Sequence, residues 1–158
     1  MLMKKNVLVA FAAGFVAFAV ASAASAASLT RTESGLLRAV NQTRAAHGLR
    51  PLRFDATLER AARSHSADML RNHYFAHGAL AQRLRAFGAR GPFVGENLAW
   101  GVGSYAAPAT IIREWLASPE HRANLLRPGF ARIGIGALRG SFNGYGGATV
   151  FTADFGGV

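Results

Sequence analysis

The sequence predicts an α+β fold, in which helices pack on a small and mainly antiparallel sheet. Apolar residues recur at helical spacing over the first part of the chain, whereas alternation with a period of two is confined to its C-terminal part. Helices followed by strands are typical of α+β domains, since alternating strands and helices would instead indicate a parallel sheet. No internal repeat interrupts this order.

Residues 1–26 are predicted to be a secretory signal peptide. Lys4 and Lys5 precede an apolar run over residues 7–20, and small residues follow, with cleavage predicted after Ala23 or Ala26. A retained membrane anchor is the alternative, but the run is shorter than the roughly 20 residues that span a bilayer. We therefore expect residues 30–158 to form a single exported domain, with no transmembrane segment after cleavage.

The amino-acid composition excludes some classes of function and favours others. The 158 residues contain no cysteine, so disulfides and thiol chemistry are excluded. Without Lys4 and Lys5 the 18 basic residues become 16, all arginine, against 8 acidic residues, and the net charge of +10 becomes +8. This charge favours anionic partners such as wall polymers or lipid headgroups. The arginines are scattered rather than clustered, so no nucleic-acid partner is expected.

The N-terminal half is predicted to contain three helices. The first covers residues 32–47, where apolar positions recur at helical spacing. Asp55 is suited to cap a second helix that runs to about Asn72, because its carboxylate can accept the first free backbone N–H groups. A short third helix is predicted over residues 80–87, followed by a glycine.

The C-terminal half is predicted to hold one further helix and a hairpin. Residues 93–100 are consistent with a loop or a short strand. The helix covers residues 104–117, with a serine cap and a proline in its first turns, and Trp115 on its apolar stripe is expected to be buried against the sheet. Two strands follow, over residues 131–138 and 148–155, and the glycine-rich stretch between them predicts an antiparallel pair.

Three segments place polar side chains beside turn-forming residues. They contain His77, Glu96 within Gly95–Ala99, and His121 within Ser118–Asn124. Polar residues at the ends of helices and strands can point into a shared cleft, so we expect two imidazoles and one carboxylate to line one cavity. Each also has a simpler interpretation. His77 would be a loop histidine, His121 would cap a helix, and Glu96 would accept backbone N–H groups in a turn.

A series of short blocks along the chain resembles a known family. The blocks are Asn41–Arg44, Gly48–Leu52, Leu58–Ala67, Phe75–His77, Gly95–Ala99, Trp115, Ser118–Leu126 and Ile133–Gly136. In this order they resemble the short bacterial branch of the CAP superfamily, which comprises cysteine-rich secretory proteins, antigen 5 and pathogenesis-related 1 proteins and SCP-like extracellular proteins. No single block is specific, but the ordered set covers nearly the whole predicted mature chain.

The resemblance implies a fold and a site. The fold is an α-β-α sandwich of CAP type with a large cleft, in which two histidines and one or two acidic residues form a cavity that holds a divalent metal in several relatives. His77 and His121 match the cavity histidines, and Glu96 matches the first cavity glutamate. Eukaryotic members have a second glutamate three positions after the helix tryptophan, where this sequence has Ser118.

The chemistry of these side chains leaves the cofactor open. Two neutral imidazoles near a carboxylate suit Zn²⁺ or another divalent cation, with His77 and His121 as the candidate ligands. Catalytic zinc centres usually have three protein ligands, so the pair is equally compatible with a cavity that has no functional metal.

We expect a secreted, periplasmic or envelope-located protein that binds an extracellular or envelope ligand, such as a lipid, a wall polymer or a protein. The alternative is a metal-assisted hydrolase, in which His77 and His121 hold the metal and Glu96 is the general base. A third possibility is a structural domain whose cavity has lost its function. Binding is favoured because the sequence lacks a G-x-S-x-G motif, a cysteine and a third metal ligand.

Overall fold

The computed structural model describes residues 28–157. The predicted signal peptide and both of its candidate cleavage sites lie outside this range, so they stay predictions. Within it, none of the helices combines the length and the apolar character that crossing a membrane requires.

Helices and strands follow one another in the predicted order. The N-terminal part forms three helices with one very short strand, and the C-terminal part ends in a long hairpin. In chain order the elements are α1 (Arg31–Ala46), β1 (Arg53–Phe54), α2 (Ala56–Asn72), α3 (Leu80–Ala86), β2 (Val94–Gly101), a 3₁₀ turn (Gly103–Ala106), α4 (Pro108–Ala117), α5 (Pro119–Leu125), β3 (Phe130–Phe142) and β4 (Tyr145–Gly157).

Four strands form one sheet in the order β1-β3-β4-β2, so β1 and β2 are its edges. The β3–β4 and β2–β4 pairs are antiparallel and the short β1–β3 pair is parallel, which confirms a mainly antiparallel sheet. Asn143 and Gly144 connect β3 to β4 with φ values of 48° and 81°. Positive φ at both positions is what a tight two-residue hairpin turn requires, so the strands extend further into the glycine-rich stretch than the pattern predicted.

Helices cover both faces of the sheet, which confirms the sandwich. On one face α1, α4 and α5 enclose the main core, where Trp115 is only 1% exposed, as predicted. On the other face α2 lies directly on β3. Gly134 and Gly136 permit this approach, because a Cβ atom at either position would overlap the helix backbone at Glu59 or Arg63. The two glycines therefore allow α2 to pack closely on β3 and to cover this face of the sheet.

Two predictions about residues 104–125 need correction. The helix predicted from residue 104 begins only at Pro108, because Ser104 lies in the preceding 3₁₀ turn and makes no cap. The turn at Ser118 and Pro119 does end α4, but Pro119 also starts α5, a helix that the sequence pattern did not reveal. Proline fits the first position of a helix as readily as it stops one, so the same residue carries both signals.

Candidate functional site

The candidate site lies at the β2 edge of the sheet. Glu96 is on β2, His77 lies in the segment that follows α2, and His121 is on α5. The structure brings the three together: Nδ1 of His77 lies 2.7 Å from Oε1 of Glu96, and the centroids of the two imidazole rings are 6.5 Å apart. Their part in binding or catalysis stays a prediction.

Glu96 is enclosed, whereas His77 is open to solvent. The Glu96 residue is 3% exposed, while the His77 side chain is 53% exposed. Arg83, from α3, pairs with the second carboxylate oxygen of Glu96 and donates to the backbone oxygen of His77 at 3.1 Å. When Glu96 is ionised its carboxylate can only accept, so Nδ1 of His77 then donates this hydrogen bond. The other ring nitrogen, Nε2, takes no part in this hydrogen bond.

A second buried carboxyl group lies beside Glu96. Asp154 is the register partner of Glu96 on the neighbouring strand β4, and it is fully buried. The guanidinium of Arg83 lies 3.7 Å from its Oδ1, yet neither Asp154 oxygen has a hydrogen-bond partner that satisfies strict geometry within the described residues. Two carboxyl groups thus share one cation below the surface of the site.

The position of His121 depends on two asparagines. Asn97 is fully buried and its side chain donates to the backbone oxygen of His121 at 2.9 Å. The Asn124 side chain donates to the backbone oxygen of Glu96 at 3.0 Å and to Oδ1 of Asn97 at 3.1 Å. These bonds join α5 to β2, so His121 is held opposite His77.

Burial controls the ionisation of the site. It raises the pKa of Glu96 to about 7, although the Arg83 guanidinium acts in the opposite direction. The pKa of Asp154 is raised well above its usual value, first by burial and then by the nearby Glu96 carboxylate. Buried His65, whose Nε2 donates to the Ala76 backbone oxygen at 3.0 Å, has its pKa lowered to about 4. Burial, and then His77, also lower the pKa of His121.

The donor set does not fit a three-ligand catalytic metal. Within residues 28–157 no group of three or more histidine, aspartate or glutamate side chains is arranged to hold a metal ion. Two imidazoles on one tetrahedral zinc would have centroids about 5 Å apart, given Zn–N bonds of about 2.0–2.1 Å, whereas those of His77 and His121 are 6.5 Å apart. Glu96, the nearest carboxylate, is already paired with Arg83.

Two members of the site escaped sequence analysis. Arg83 lies on a short helix with Arg85 nearby, and nothing in the sequence distinguishes it from the surface arginines. Asp154 did carry a signal, because it is a charged residue within an apolar run of strand residues. A charge at such a position is buried only when it has a partner, which could have pointed to a site.

An open groove extends from His121 along β2. A cavity of about 420 Å³ is lined by His121, Trp100 and Tyr105, among others. It adjoins a second cavity of about 520 Å³ that shares Trp100 and Tyr105 and also includes Tyr145. The volumes are in the range of small-ligand sites. His121 therefore lies at one end of a groove large enough for a ligand, whereas His77 and Glu96 line neither cavity.

Comparison with known proteins gives consistent results. The sequence profile of the cysteine-rich secretory protein family, CAP, matches residues 37–155. Uncharacterized protein YkwD of Bacillus subtilis strain 168 is 34% identical over 114 residues, which are 69% of this chain and 43% of that protein. Uncharacterized membrane protein YlbC of the same strain is 33% identical over 115 residues, 70% of this chain and 32% of that protein. The chain therefore spans less than half the length of these relatives.

Solved structures share the fold. An extracellular protein of Bacillus anthracis that contains an SCP domain superimposes with a TM-score of 0.68 at 26% identity, over 84% of this chain and 45% of that one. An outer surface protein of Borrelia burgdorferi gives a TM-score of 0.71 at 21% identity, over 83% of this chain and 96% of that one. Profile and fold together show that this cysteine-free chain belongs to the bacterial branch of the CAP, or cysteine-rich secretory protein, family.

Proposed function

We propose that the protein is an extracellular or envelope binding module, and that the site formed by His77 and His121 binds its ligand without hydrolysing it. The ligand would be a component of the envelope or the extracellular space, which includes lipids, wall polymers and proteins.

The proposal rests on the observation that both carboxylate oxygens of Glu96 are already paired with other side chains. A general base must present a free carboxylate oxygen to a water molecule. One oxygen of Glu96 lies against His77 Nδ1 at 2.7 Å, the other pairs with Arg83, and the residue is 3% exposed. Its raised pKa of about 7 would suit a base, but a sequestered carboxylate instead fixes the tautomer of His77. The exposed imidazole edge then serves to bind.

An extracellular location is supported by the relative from Bacillus anthracis, which is an extracellular protein with an SCP domain. It also agrees with the signal peptide predicted for residues 1–26. The chain covers 43% of YkwD and 32% of YlbC, so the partners of those longer proteins are not transferred to this one.

Cosedimentation with isolated envelopes of the source organism tests the proposal. The His77→Ala and His121→Ala double variant should lose affinity at least about tenfold, because two hydrogen bonds of roughly 1 kcal/mol each are removed. His47→Ala is a matched control, since His47 is an exposed imidazole that caps α1 and bonds only to its own helix through Thr43. The control should bind like the parent.

Two outcomes would contradict the proposal. Equal envelope binding by the parent and the double variant would exclude the two histidines as the binding site. Hydrolysis of an envelope component that Glu96→Gln abolishes, with binding retained and with metal found in protein purified without an affinity tag, would favour the metal-assisted hydrolase instead.

A further inference from the structure

Exposed aromatic side chains concentrate along the groove beside His121. Four large hydrophobic residues are exposed within the described part of the chain, and three of them line this groove: Tyr105 (71% exposed), Tyr145 (57%) and Phe75 (43%). The fourth, Phe54, is on β1 at the opposite edge of the sheet. Contiguous exposed apolar surface of this kind marks a binding site more often than a random surface does.

The rings of Trp100 and Tyr145 are held by packing, and the backbone of Tyr105 is held close to the strand. Trp100, on β2, has its ring centroid 5.5 Å from that of Phe142 and 5.9 Å from that of Tyr145. Tyr105 lies in the 3₁₀ turn, which folds back onto the strand at Gly101, where a Cβ atom would overlap the Tyr105 backbone. Rings that are held in place before binding lose little conformational entropy when a ligand packs on them.

The groove is almost uncharged although the protein is strongly basic. None of the 16 arginines lines either of its two cavities, and its one charged lining residue is Glu114. The Glu114 carboxylate lies 3.5 Å from the guanidinium of its neighbour Arg113, so it offers little net charge to a cation. Two other cavities each contain a pair of arginines, Arg85 with Arg90 and Arg122 with Arg127. A polyanion would bind preferentially at these two arginine-lined cavities. The aromatic groove is therefore better suited to a neutral ligand.

We propose that this groove binds a neutral polysaccharide segment, whose sugar rings pack on Trp100, Tyr105 and Tyr145 while its hydroxyl groups bond to the phenols and to His121. A pyranose has apolar C–H faces and a polar rim, and tyrosine and tryptophan likewise combine an apolar ring with a polar tip. A lipid chain would cover the imidazole of His121 without offering it a hydrogen bond, which is unfavourable. The inference rests on the proposed function and names the ligand class of the same site.

The test uses the β-1,4-linked tetramers of N-acetylglucosamine and of glucose as probes. Both tryptophans of the chain, Trp100 and Trp115, line the groove, so a saturable change in tryptophan emission reports on binding there. Tyr105→Ala and Tyr145→Ala should each weaken binding about tenfold, equivalent to about 1.4 kcal/mol. Tyr105→Phe keeps the ring and removes only the phenol hydroxyl, so it should weaken binding by less than Tyr105→Ala does. Phe54→Ala removes an exposed aromatic ring outside the groove and should have no effect.

Several results would overturn the saccharide assignment. These are the absence of saturable binding by both tetramers, equal affinity in the parent and the two tyrosine-to-alanine variants, an equal loss in Phe54→Ala, or binding to phosphatidylcholine vesicles in place of the sugars. If envelope binding still depends on His77 and His121 in that case, the proposed function stands and only the ligand class is wrong. Envelope binding that ignores the histidine variants contradicts the proposed function itself.

Discussion

Replacing Glu96 by glutamine should change how stability depends on pH. Burial raises the folded-state pKa of Glu96 from its ordinary 4.5 to about 7. The contribution of such a group is fully present below pH 4.5 and is lost as the pH rises through 7, because the folded state holds the proton more tightly than the unfolded chain. Each pH unit between the two values is worth about 1.4 kcal/mol, so the loss is roughly 3 kcal/mol.

This loss will not be visible in the unfolding free energy of the parent protein alone. The groups that face Glu96 are His65, His77, Arg83 and Asp154. The pKa of buried His65 is lowered from 6.5 to about 4, so its contribution is present above pH 6.5 and is lost as the pH falls through 4. The two dependences oppose each other over nearly the same range. The informative quantity is therefore the difference in unfolding free energy between Glu96→Gln and the parent. The pH-dependent contributions that both proteins share cancel in this difference.

Urea unfolding followed by circular dichroism between about pH 4.5 and 8 measures this difference. It should shift in favour of Glu96→Gln by roughly 3 kcal/mol as the pH rises. Glu114→Gln is the matched control, because it removes a carboxylate whose side chain is 64% exposed. A difference that stays flat would refute the reasoning. A shift in favour of the parent would mean that Arg83 stabilises the ionised form by more than burial penalises it.

Three further predictions concern the scaffold and can be tested by urea unfolding. Trp115→Ala should lower the unfolding free energy by roughly 3–5 kcal/mol, because the side chain is buried in the main core, and an unchanged midpoint would contradict that role. Gly136→Ala should cost about 1–3 kcal/mol by overlapping α2 at Arg63, whereas Gly146→Ala, with nothing within 4 Å, should be nearly neutral; equal effects would count against close packing. Arg44→Lys should cost at least about 2 kcal/mol, because a lysine cannot reach all four backbone oxygens that the buried guanidinium now meets, and parent-like stability would contradict that count.

The element order was predictable because strong local signals coincide with the tertiary structure. Asp55 caps α2 as expected, accepting from the backbone nitrogens of Thr57 and Leu58. Residues 93–100 were ambiguous because β2 is buried along much of its length, so its side chains lack a clear alternation. Its partner strand, β4, lies more than forty positions further along, and no local pattern reports such a pairing.

The site was predictable only in part. His77, Glu96 and His121 could be chosen because each lies in a turn-rich block of the family pattern. Their relation to one another depends on contacts across the fold, and so does the contribution of Arg83. Asp154 shows the same limit, since its importance comes from its register opposite Glu96 and not from its neighbours in sequence.

The β2 edge explains why Trp115, Asn124 and His121 occur together. An edge strand has backbone groups that no neighbouring strand can satisfy. Here the indole N–H of Trp115 donates to the Leu98 oxygen at 2.9 Å, and the Asn124 amide donates to the Glu96 oxygen at 3.0 Å. Each donor satisfies one backbone carbonyl of the free edge, and together the two bonds attach α4 and α5 to β2.

The same attachment creates the site. Asn124 and His121 lie three positions apart on α5, so they occupy neighbouring places on one face of the helix. When Asn124 bonds to the edge, His121 is brought to the groove opposite His77. Exchanging Asn124 for leucine should therefore do more than expose an unpaired backbone oxygen. It should also release His121 and weaken ligand binding, even though Asn124 itself need not touch the ligand.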